Sequence, residues 1–408
     1  SLFYMFLYKV KLIAFFFFKF NTFVHNTFTI KMKILYFYPE NPLLLTQGNN
    51  ARANKLLEYF KTRNIEVDFV GEETREFTIQ DSNELVKTNL VKRSFLLKSF
   101  RRSKNQLKYF FFKSLPRLLK GEFKEFDRLK PSQLAGFKKI ISENNYDYII
   151  ISYAYWHKLI DGIDKKNAKL IIDTHDFLTS QYQNSKKYSL GKFFETEINI
   201  LNKFDEIFVI SIDEKFTFSQ FIKKPIHIIA HGLPEKNIIQ NKNIDIIYVA
   251  SENEHNIAAA KWFFEKAYPH LSKDIKITVV GKITKHINDY ENVTKVGFIN
   301  DLDEAYASSK IAICPMLSGT GLKIKVAEAL SFGLPIVCNE RGIDGLLNKT
   351  KNGCLVTNKE VEFAENITKL LENSDYYTEI SNEAKAFFNE TLNSNVVNKN
   401  LDSVFKIE

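Results

Sequence analysis

The segment with the clearest chemical character combines two glycines, two lysines and a glutamate. It reads GTGLKIKVAEAL, from Gly319 to Leu330, and follows the apolar run KIAICPM. Glycine allows a tight turn and close approach of a ligand, and the free N–H groups at a helix start favour phosphate. With helical periodicity Gly321, Lys325 and Glu328 share one face, and Lys323 adds a cation beside it. The segment therefore predicts a phosphate clamp with a carboxylate one turn deeper.

The carboxylate of Glu328 needs a partner, because it would repel a bare phosphate. A ribose diol provides one, since a carboxylate can accept from both hydroxyls while lysines hold the diphosphate. A simpler interpretation stays open, in which the glycines only turn the chain and the lysines only solvate a helix face. The preferred ligand is a nucleoside diphosphate, and the predicted binding residues are Gly319, Thr320, Gly321, Leu322, Lys323, Lys325 and Glu328.

Two common phosphate motifs do not fit this segment. A Walker loop needs a lysine followed by Ser or Thr at a fixed spacing, and the dinucleotide fingerprint needs a third glycine near Ile324. Upstream, Asp301 and Asp303 in DLD could be taken for a metal-binding pair. They open a predicted helix, however, where acidic side chains cap free N–H groups. We therefore expect no metal ion and no cofactor.

A second candidate is His175 in DTHDF, flanked by Asp173 and Asp176 directly after a predicted strand. Open α/β sheets bind ligands beyond the carboxyl ends of their strands. A catalytic role for His175 is predicted. A purely structural histidine remains the alternative.

Short β-branched runs alternate with helical patterns from residue 33 onward, which predicts βαβ units and parallel sheets. We predict an α/β fold of two Rossmann-like, doubly wound domains over residues 32–231 and 244–390. Residues 232–243 form the linker and residues 391–408 a C-terminal helix. The predicted strands are KILYFY, IEVDFV, DYIIIS, KLIID, EIFVIS and IHIIA, followed by IDIIYVA, IKITVVG, TKVGF, KIAICP, LPIVCN and NGCLVT.

Composition agrees with a soluble globular protein of two cores. The chain has 408 residues, of which 45% are hydrophobic and 26% charged. Cys314, Cys338 and Cys354 are few and lie mostly in apolar runs, so a disulfide scaffold and a zinc knuckle are excluded. We expect a reduced, cytoplasmic environment.

Residues 1–31 are rich in phenylalanine but do not resemble a spanning helix. Lys9, Lys11 and Lys19 interrupt the apolar run well before the ~20 residues that a span requires. Met32 begins MKILYFYP, a typical first strand of an α/β domain. We interpret residues 1–31 as lying outside the fold, through a misassigned start, with an interfacial anchor as the alternative.

The C-terminal half is similar to a known family. GTGLKIKVAEALSFGLPIVCNERGIDGL and GFINDLDEAYASSKIAICPM resemble glycosyltransferase family 4, whose members have the GT-B fold and retain the sugar configuration. The likeness is strongest over residues 245–357 and extends more weakly back to Met32. It implies that the two domains face each other across a cleft and that the co-substrate is a nucleotide-diphosphate sugar.

The resemblance also implies residue roles. Glu328 matches the second glutamate of the family's pair, whereas Thr320 occupies the position of the first. Lys323 and Lys325, with backbone amides, would hold the diphosphate and stabilise the leaving group. His175 would contact the transferred sugar.

In the first domain, QGNNARANKL matches the family's glycine-containing loop opposite the donor. The resemblance implies that Gly48 and Arg52 face the cleft. In the alternative interpretation Gly48 only begins a helix and Arg52 is a surface charge.

The expected activity is sugar transfer to a glycan or lipid-linked acceptor in cell-envelope polysaccharide synthesis. A GT-B-like sugar-nucleotide epimerase and a basic nucleic-acid-binding protein are the alternatives. We expect no nucleic-acid partner, because no nucleic-acid-binding motif accompanies the basic clusters.

The net charge of +9 arises from two segments, of which the first, residues 1–33, holds five lysines and no acidic residue. Residues 87–130 hold fourteen lysines and arginines against three acidic residues. Apolar residues alternate with these cations, which favours an insert over residues 86–130 that lies on an anionic membrane surface, at the inner face of the plasma membrane. Alternatively, the segment forms two helices that pack on the first sheet. The apolar residues of the proposed membrane face are Phe95, Leu96, Phe100, Leu107, Phe110, Phe111, Leu115, Leu118 and Leu119.

Overall fold

Thirteen strands form two separate parallel sheets within the part of the chain that the computed structural model describes. The described residues are 31–44, 48–98, 106–115, 126–130, 132–183, 185, 188–236, 242–299, 301–319 and 321–407. Residues 1–30, on which the interpretation of the N-terminal segment depends, lie outside them.

The first sheet has seven strands, and the apolar side chains of its inner strands are buried on both faces, as is typical of parallel sheets. Its strands are β1 (Lys33–Phe37), β2 (Glu66–Glu72), β3 (Arg93–Leu97), β4 (Tyr148–Ser152), β5 (Lys169–Asp173), β6 (Glu206–Val209) and β7 (Ile226–Ile228). They run in the order β3-β2-β1-β4-β5-β6-β7, with Ile34 beside both Val67 and Tyr148.

The second sheet has six strands. They are β8 (Ile244–Val249), β9 (Ile277–Val280), β10 (Val293–Val296), β11 (Ser309–Cys314), β12 (Ile336–Cys338) and β13 (Cys354–Val356). The order β10-β9-β8-β11-β12-β13 repeats the reversal of the first sheet. Each sheet therefore has a switch point, at β1/β4 and at β8/β11, where doubly wound folds bind ligands.

Helices cover both sheets. Those of the first half are α1 (Gly48–Thr62), α2 (Ile79–Lys87), α3 (Gln106–Tyr109), α4 (Gln133–Ser142), α5 (Leu178–Gln181), α6 (Leu190–Leu201) and α7 (Ile212–Ser219). Those of the second half are α8 (Glu254–Trp262), α9 (Asp303–Ala307), α10 (Ile324–Ser331), α11 (Glu360–Glu372), α12 (Ser374–Thr391) and α13 (Ser394–Phe405). Among the described helices, none is long and apolar enough to cross a bilayer.

The last helix, α13, packs on the first domain. The chain leaves that domain near Leu233 and returns at Ser394, and the backbone N–H of Ser394 donates to the carbonyl of Leu233. On α13, Asp402 accepts hydrogen bonds from Arg63 and from the Tyr59 hydroxyl of α1. The ring of Phe405 contacts those of Tyr59, Phe60, Tyr148 and Phe208.

The predicted α/β fold of two doubly wound domains is confirmed, and each of the twelve predicted strands is present. One strand was missed. Residues Arg93–Leu97, assigned from sequence to the basic insert, form the edge strand β3, with Phe95 beside Val70 of β2. Phe95 and Leu96 are therefore half-buried against the core and not part of a membrane face. The strand is hard to recognise from sequence because lysines and arginines surround it, as is common for edge strands. One of them, Arg93, pairs with the buried Asp68.

Candidate active site

The glycine-rich loop lies at the switch point of the second sheet. It connects β11 to α10, which confirms the predicted strand, turn and helix. Gly319 and Gly321 have φ angles of +92° and +78°, a region that disfavours other residues. Thr320 lies outside the described residues.

A close backbone contact holds the loop in place. Gly345 follows the short 3-10 helix Glu340–Ile343 and has φ +82°. A Cβ atom at Gly345 would lie 2.6 Å from the backbone nitrogen of Leu322. A glycine is required here because the two backbones pack directly against each other.

Lys323, expected to be a mobile cation, is buried within its own loop. Its Nζ donates to the carbonyl oxygens of Gly319 and Gly321, at 3.2 and 2.8 Å, and lies 4.0 Å from Asp344. Burial lowers the pKa of Lys323, while Asp344 opposes that shift. An ammonium group has three donors, so one N–H remains for a ligand.

Lys325 connects α10 to the start of α8. Its Nζ donates to Oδ1 of Asn256 at 2.9 Å and lies 5.7 Å from the centre of the Tyr248 ring. Burial lowers the pKa of Lys325. Sequence reasoning missed Asn256, although it lies in the first turn of α8, the helix that follows β8 at the switch point.

Glu328 is half-buried on α10, and the hydroxyl of Tyr306 donates to its Oε2 at 3.2 Å. Burial raises the pKa of Glu328 to about 7, and Tyr306 and Lys325 oppose this shift. Tyr306 lies on α9, where its side chain is buried and its ring stacks on that of Phe332. It holds the carboxylate near the helix start that carries the lysines.

The first domain meets this loop directly. A Cβ atom at Gly48, the first residue of α1, would lie 3.0 Å from the side chain of Ile324. At Gly321 it would lie 3.5 Å from Ile210. Gly48 therefore faces the start of α10. Between the domains lies a cavity of about 300 Å³, whose lining includes His175, Asp176, Glu214, Gly321, Arg341 and Lys349.

His175 lines that cavity beyond the end of β5. It has φ +58°, which is unusual for a residue other than glycine. Its Nε2 lies 2.9 Å from Oδ2 of Asp173 and 3.2 Å from Oγ of Ser152. The ring stacks on that of Tyr153, with centroids 4.3 Å apart.

Arg52, predicted to face the donor, is instead buried behind His175. Its Nη2 donates to Oδ1 of Asp173 at 2.6 Å, and its Nη1 donates to the carbonyl of Ile229. Burial alone would raise the pKa of Asp173, but Arg52 and His175 hold it well below its usual range. Arg52 lies in the second turn of α1, which directs it toward the sheet rather than the cleft.

Asp301 and Asp303 of DLD lie at the start of α9, where Asp301 caps a free backbone N–H as predicted. Oδ1 of Asp301 accepts the backbone N–H of Asp303 at 2.9 Å, and Asp303 pairs with Lys236. Among the described residues, no group of three or more His, Cys, Asp or Glu side chains is arranged to hold a metal ion.

Comparison with known proteins agrees with this geometry. Residues 243–373, which contain the glycine loop and α10, match the family model described as glycosyl transferases group 1. The second domain is therefore a glycosyl transferases group 1 domain. The chain is also 24% identical over 320 residues to an uncharacterised 44.6 kDa protein in the cps region of Klebsiella pneumoniae, covering 71% of this chain and 82% of the relative.

Solved structures show that the chain has the GT-B fold. Anabaena HepE in complex with UDP and glucose is 15% identical, with a TM-score of 0.63 over 92% of this chain and 99% of HepE. A variant of Staphylococcus aureus TarM, in complex with fondaparinux, alpha-GlcNAc-glycerol and UDP, is 14% identical. Its TM-score is 0.62, over 92% of this chain and 99% of TarM.

Proposed function

We propose that this protein is a group 1 glycosyltransferase that transfers a sugar from a UDP-sugar to a glycan or lipid-linked acceptor in the synthesis of a cell-envelope polysaccharide. The observation that carries the proposal is the glycine loop Gly319–Lys323 at the switch point of the second sheet, closed by Gly48 from the first domain. The UDP bound to HepE and TarM, and the cps region of the Klebsiella relative, support the donor and the pathway class.

The donor's diphosphate would lie at the start of α10. Free N–H groups of the first turn, together with Lys323 and Lys325, supply positive potential there. Both ammonium groups are already held by protein oxygens, so binding requires little reordering of their side chains. Glu328, one turn further along, would accept hydrogen bonds from the ribose hydroxyls.

The reaction breaks the bond between the anomeric carbon and the diphosphate oxygen, and the electron pair leaves with UDP. The oxygen of an acceptor hydroxyl forms the new bond to the anomeric carbon, and its proton passes to the departing diphosphate. Retention of configuration is carried over from the family resemblance. Lys323, Lys325 and the loop amides would stabilise the departing charge without a metal ion.

The transferred sugar would extend from the loop into the cavity between the domains. His175 lines that cavity together with Gly321 and is the side chain we assign to the sugar. The acceptor would reach the same cavity from the first domain.

Thermal shift with UDP-glucose, UDP, GDP and a DNA oligonucleotide tests the proposal. UDP and UDP-glucose should raise Tm, because a ligand that binds only the folded state stabilises it. Lys323→Ala should abolish the shift, whereas Lys399→Ala, at an exposed lysine of α13, should keep it. Stabilisation by the oligonucleotide alone would overturn the proposal.

A product assay separates transfer from epimerisation. Incubation with UDP-glucose and no acceptor should release UDP slowly and leave the remaining donor unchanged. Conversion of UDP-glucose into an epimeric UDP-sugar would favour the epimerase alternative.

We also propose that the part of the basic insert that follows β3, residues 98–130, docks the enzyme on an anionic membrane beside its acceptor. Phe100, Leu118 and Leu119, and the cations Arg101, Arg102 and Lys104, lie outside the described residues. Three described apolar side chains support the proposal because they are solvent-exposed, namely Leu107 at 75%, Phe110 at 49% and Phe111 at 58%. Each basic residue near an anionic leaflet contributes roughly 1 kcal/mol.

Co-sedimentation with vesicles tests the docking. Binding to phosphatidylglycerol vesicles should be strong at low salt and fade as salt rises, whereas phosphatidylcholine vesicles should bind little. Changing Arg101, Arg102, Lys104 and Lys108 together to Glu should abolish binding. The matched control changes Lys261, Lys266, Lys351 and Lys359, four exposed lysines of the second domain, to Glu. Equal loss in both variants would contradict a specific docking segment.

A further inference from the structure

Three buried side chains form a continuous network from α1 to the cleft. Arg52, Asp173 and His175 are 8%, 0% and 7% exposed. The Nε of Arg52 lies 3.2 Å from both carboxylate oxygens of Asp173, and its Nη2 lies 2.6 Å from Oδ1. The other carboxylate oxygen, Oδ2, faces Nε2 of His175 at 2.9 Å. The network thus ends at a side chain that lines the cavity between the domains.

The surroundings of Nε2 determine which ring nitrogen carries the proton. Asp173 is paired with a guanidinium, so it is ionised and can only accept hydrogen bonds. The other neighbour of Nε2, the hydroxyl of Ser152, donates its own hydrogen to Tyr36 at 3.2 Å and presents its lone pairs to the ring. Because both neighbours are acceptors, Nε2 must be the donor.

The orientation of the ring is fixed by the same part of the fold. Tyr153 and Tyr38 pack on the imidazole, with centroids 4.3 and 5.8 Å away. The hydroxyl of Tyr153 accepts a hydrogen bond from Asn49 of α1 at 2.9 Å. Within the described part of the chain, no protein group bonds to Nδ1 of His175.

We propose that the Arg52–Asp173 ion pair is a positioning device that holds His175 as the Nε2–H tautomer and keeps Nδ1 as an acceptor for a hydroxyl group of the transferred sugar. The inference rests on the proposed function, since it places a sugar in the cavity. Arg52 and Asp173 do not touch that sugar. They act through the imidazole, as the buried carboxylate of a catalytic triad orients its histidine.

Asp173→Asn should reverse the tautomer. Arg52 would retain the amide oxygen, so the amide NH₂ would face Nε2 and move the ring proton to Nδ1. Nitrogen NMR of protein labelled at histidine, with His175 assigned through His175→Gln, measures this without any substrate. The wild type should show Nε2–H and the variant Nδ1–H. Nδ1–H in the wild type would overturn the proposal.

Kinetics with UDP-glucose provide the second readout. Asp173→Asn should lower kcat for UDP release about tenfold or more, because Nδ1 of His175 would become a donor and could no longer accept the hydrogen bond from the sugar hydroxyl. The Kd for UDP should stay within about twofold, since the nucleotide contacts lie on the second domain. If Asp173 had a purely structural role, Asp173→Asn would instead lower Tm and leave kcat at the wild-type value.

Asp68→Asn is the matched control. Asp68 is also fully buried and pairs with an arginine, Arg93, but at the β2/β3 edge of the same sheet. The Asp68→Asn variant should be less stable than the wild type but should keep the same His175 tautomer and the same kcat. Parallel loss of kcat in both variants would overturn the positioning role. If the wild type neither binds nor cleaves any UDP-sugar, the proposed function fails, and the NMR measurement still decides the tautomer.

Discussion

Glu328 should make the binding of UDP-glucose depend on pH. Burial raises the pKa of this carboxyl group to about 7, against the opposing effects of Tyr306 and Lys325. Only the ionised form can accept hydrogen bonds from both ribose hydroxyls. Affinity should therefore be highest above pH 7 and should decrease as pH falls through 7.

The magnitude follows from the position of that pKa. With a pKa of about 7, the carboxylate is about 90% ionised at pH 8 and about 10% at pH 6. If only the ionised form binds, the affinity falls about tenfold, or about 1.4 kcal/mol, between these two pH values. Glu328→Gln keeps the shape of the side chain but cannot titrate. It loses charged hydrogen bonds worth about 1.5–3 kcal/mol each, so it should bind at least about tenfold more weakly at pH 8.

Isothermal titration at pH 6, 7 and 8 measures the effect. UDP-glucose is the right ligand because the terminal phosphate of UDP itself titrates near pH 6. Glu390→Gln, at an exposed position of α12, is the control and should follow the wild type. A wild-type affinity independent of pH, or an equal slope in Glu328→Gln, would refute the ribose assignment.

Three further outcomes are expected. Gly345→Ala should lower the free energy of unfolding, measured by chemical denaturation, by about 1–2 kcal/mol, because alanine disfavours the left-handed backbone conformation of this position. It should also weaken UDP-glucose binding, measured by titration, because the added Cβ displaces Leu322. Lys349→Ala removes an exposed ion pair with Asp213 of the opposite domain and should change that free energy by less than about 1 kcal/mol, so a larger loss would reveal a stronger interdomain contact. A chain that begins at Met32 should keep its Tm and activity, and insolubility would show that residues 1–31 belong to the fold.

The parts of the site that were predictable from sequence are local. Gly319, Gly321 and Glu328 lie within ten residues, and a strand, a tight turn and a helix start are encoded by neighbouring side chains. The pairing of Arg52 with Asp173 joins residues 121 positions apart. It depends on which strand lies at the switch point, and no local pattern specifies that.

At two other places, β3 and Lys323, the structure differs from the prediction for a physical reason. β3 was missed because an edge strand needs only one hydrogen-bonded neighbour and tolerates charged side chains. Lys323 was predicted as a mobile cation beside the phosphate site, but its flexible stem lets the ammonium fold back onto the carbonyls of its own turn. Sequence specifies that a cation is present in the loop, whereas the positions of the surrounding oxygens determine where it points.

The packing of α13 on the first domain reverses the usual order in which a two-domain chain matures. Domains made first generally fold first during synthesis. Here Phe405 covers the rings of Tyr59, Phe60 and Tyr148, so an aromatic surface of the first domain stays open while the whole second domain is translated. The domain that the ribosome makes first is thus completed last. A stop codon just before α13 would spare both sheets yet release a protein with that aromatic surface exposed, a target for chaperones and proteases.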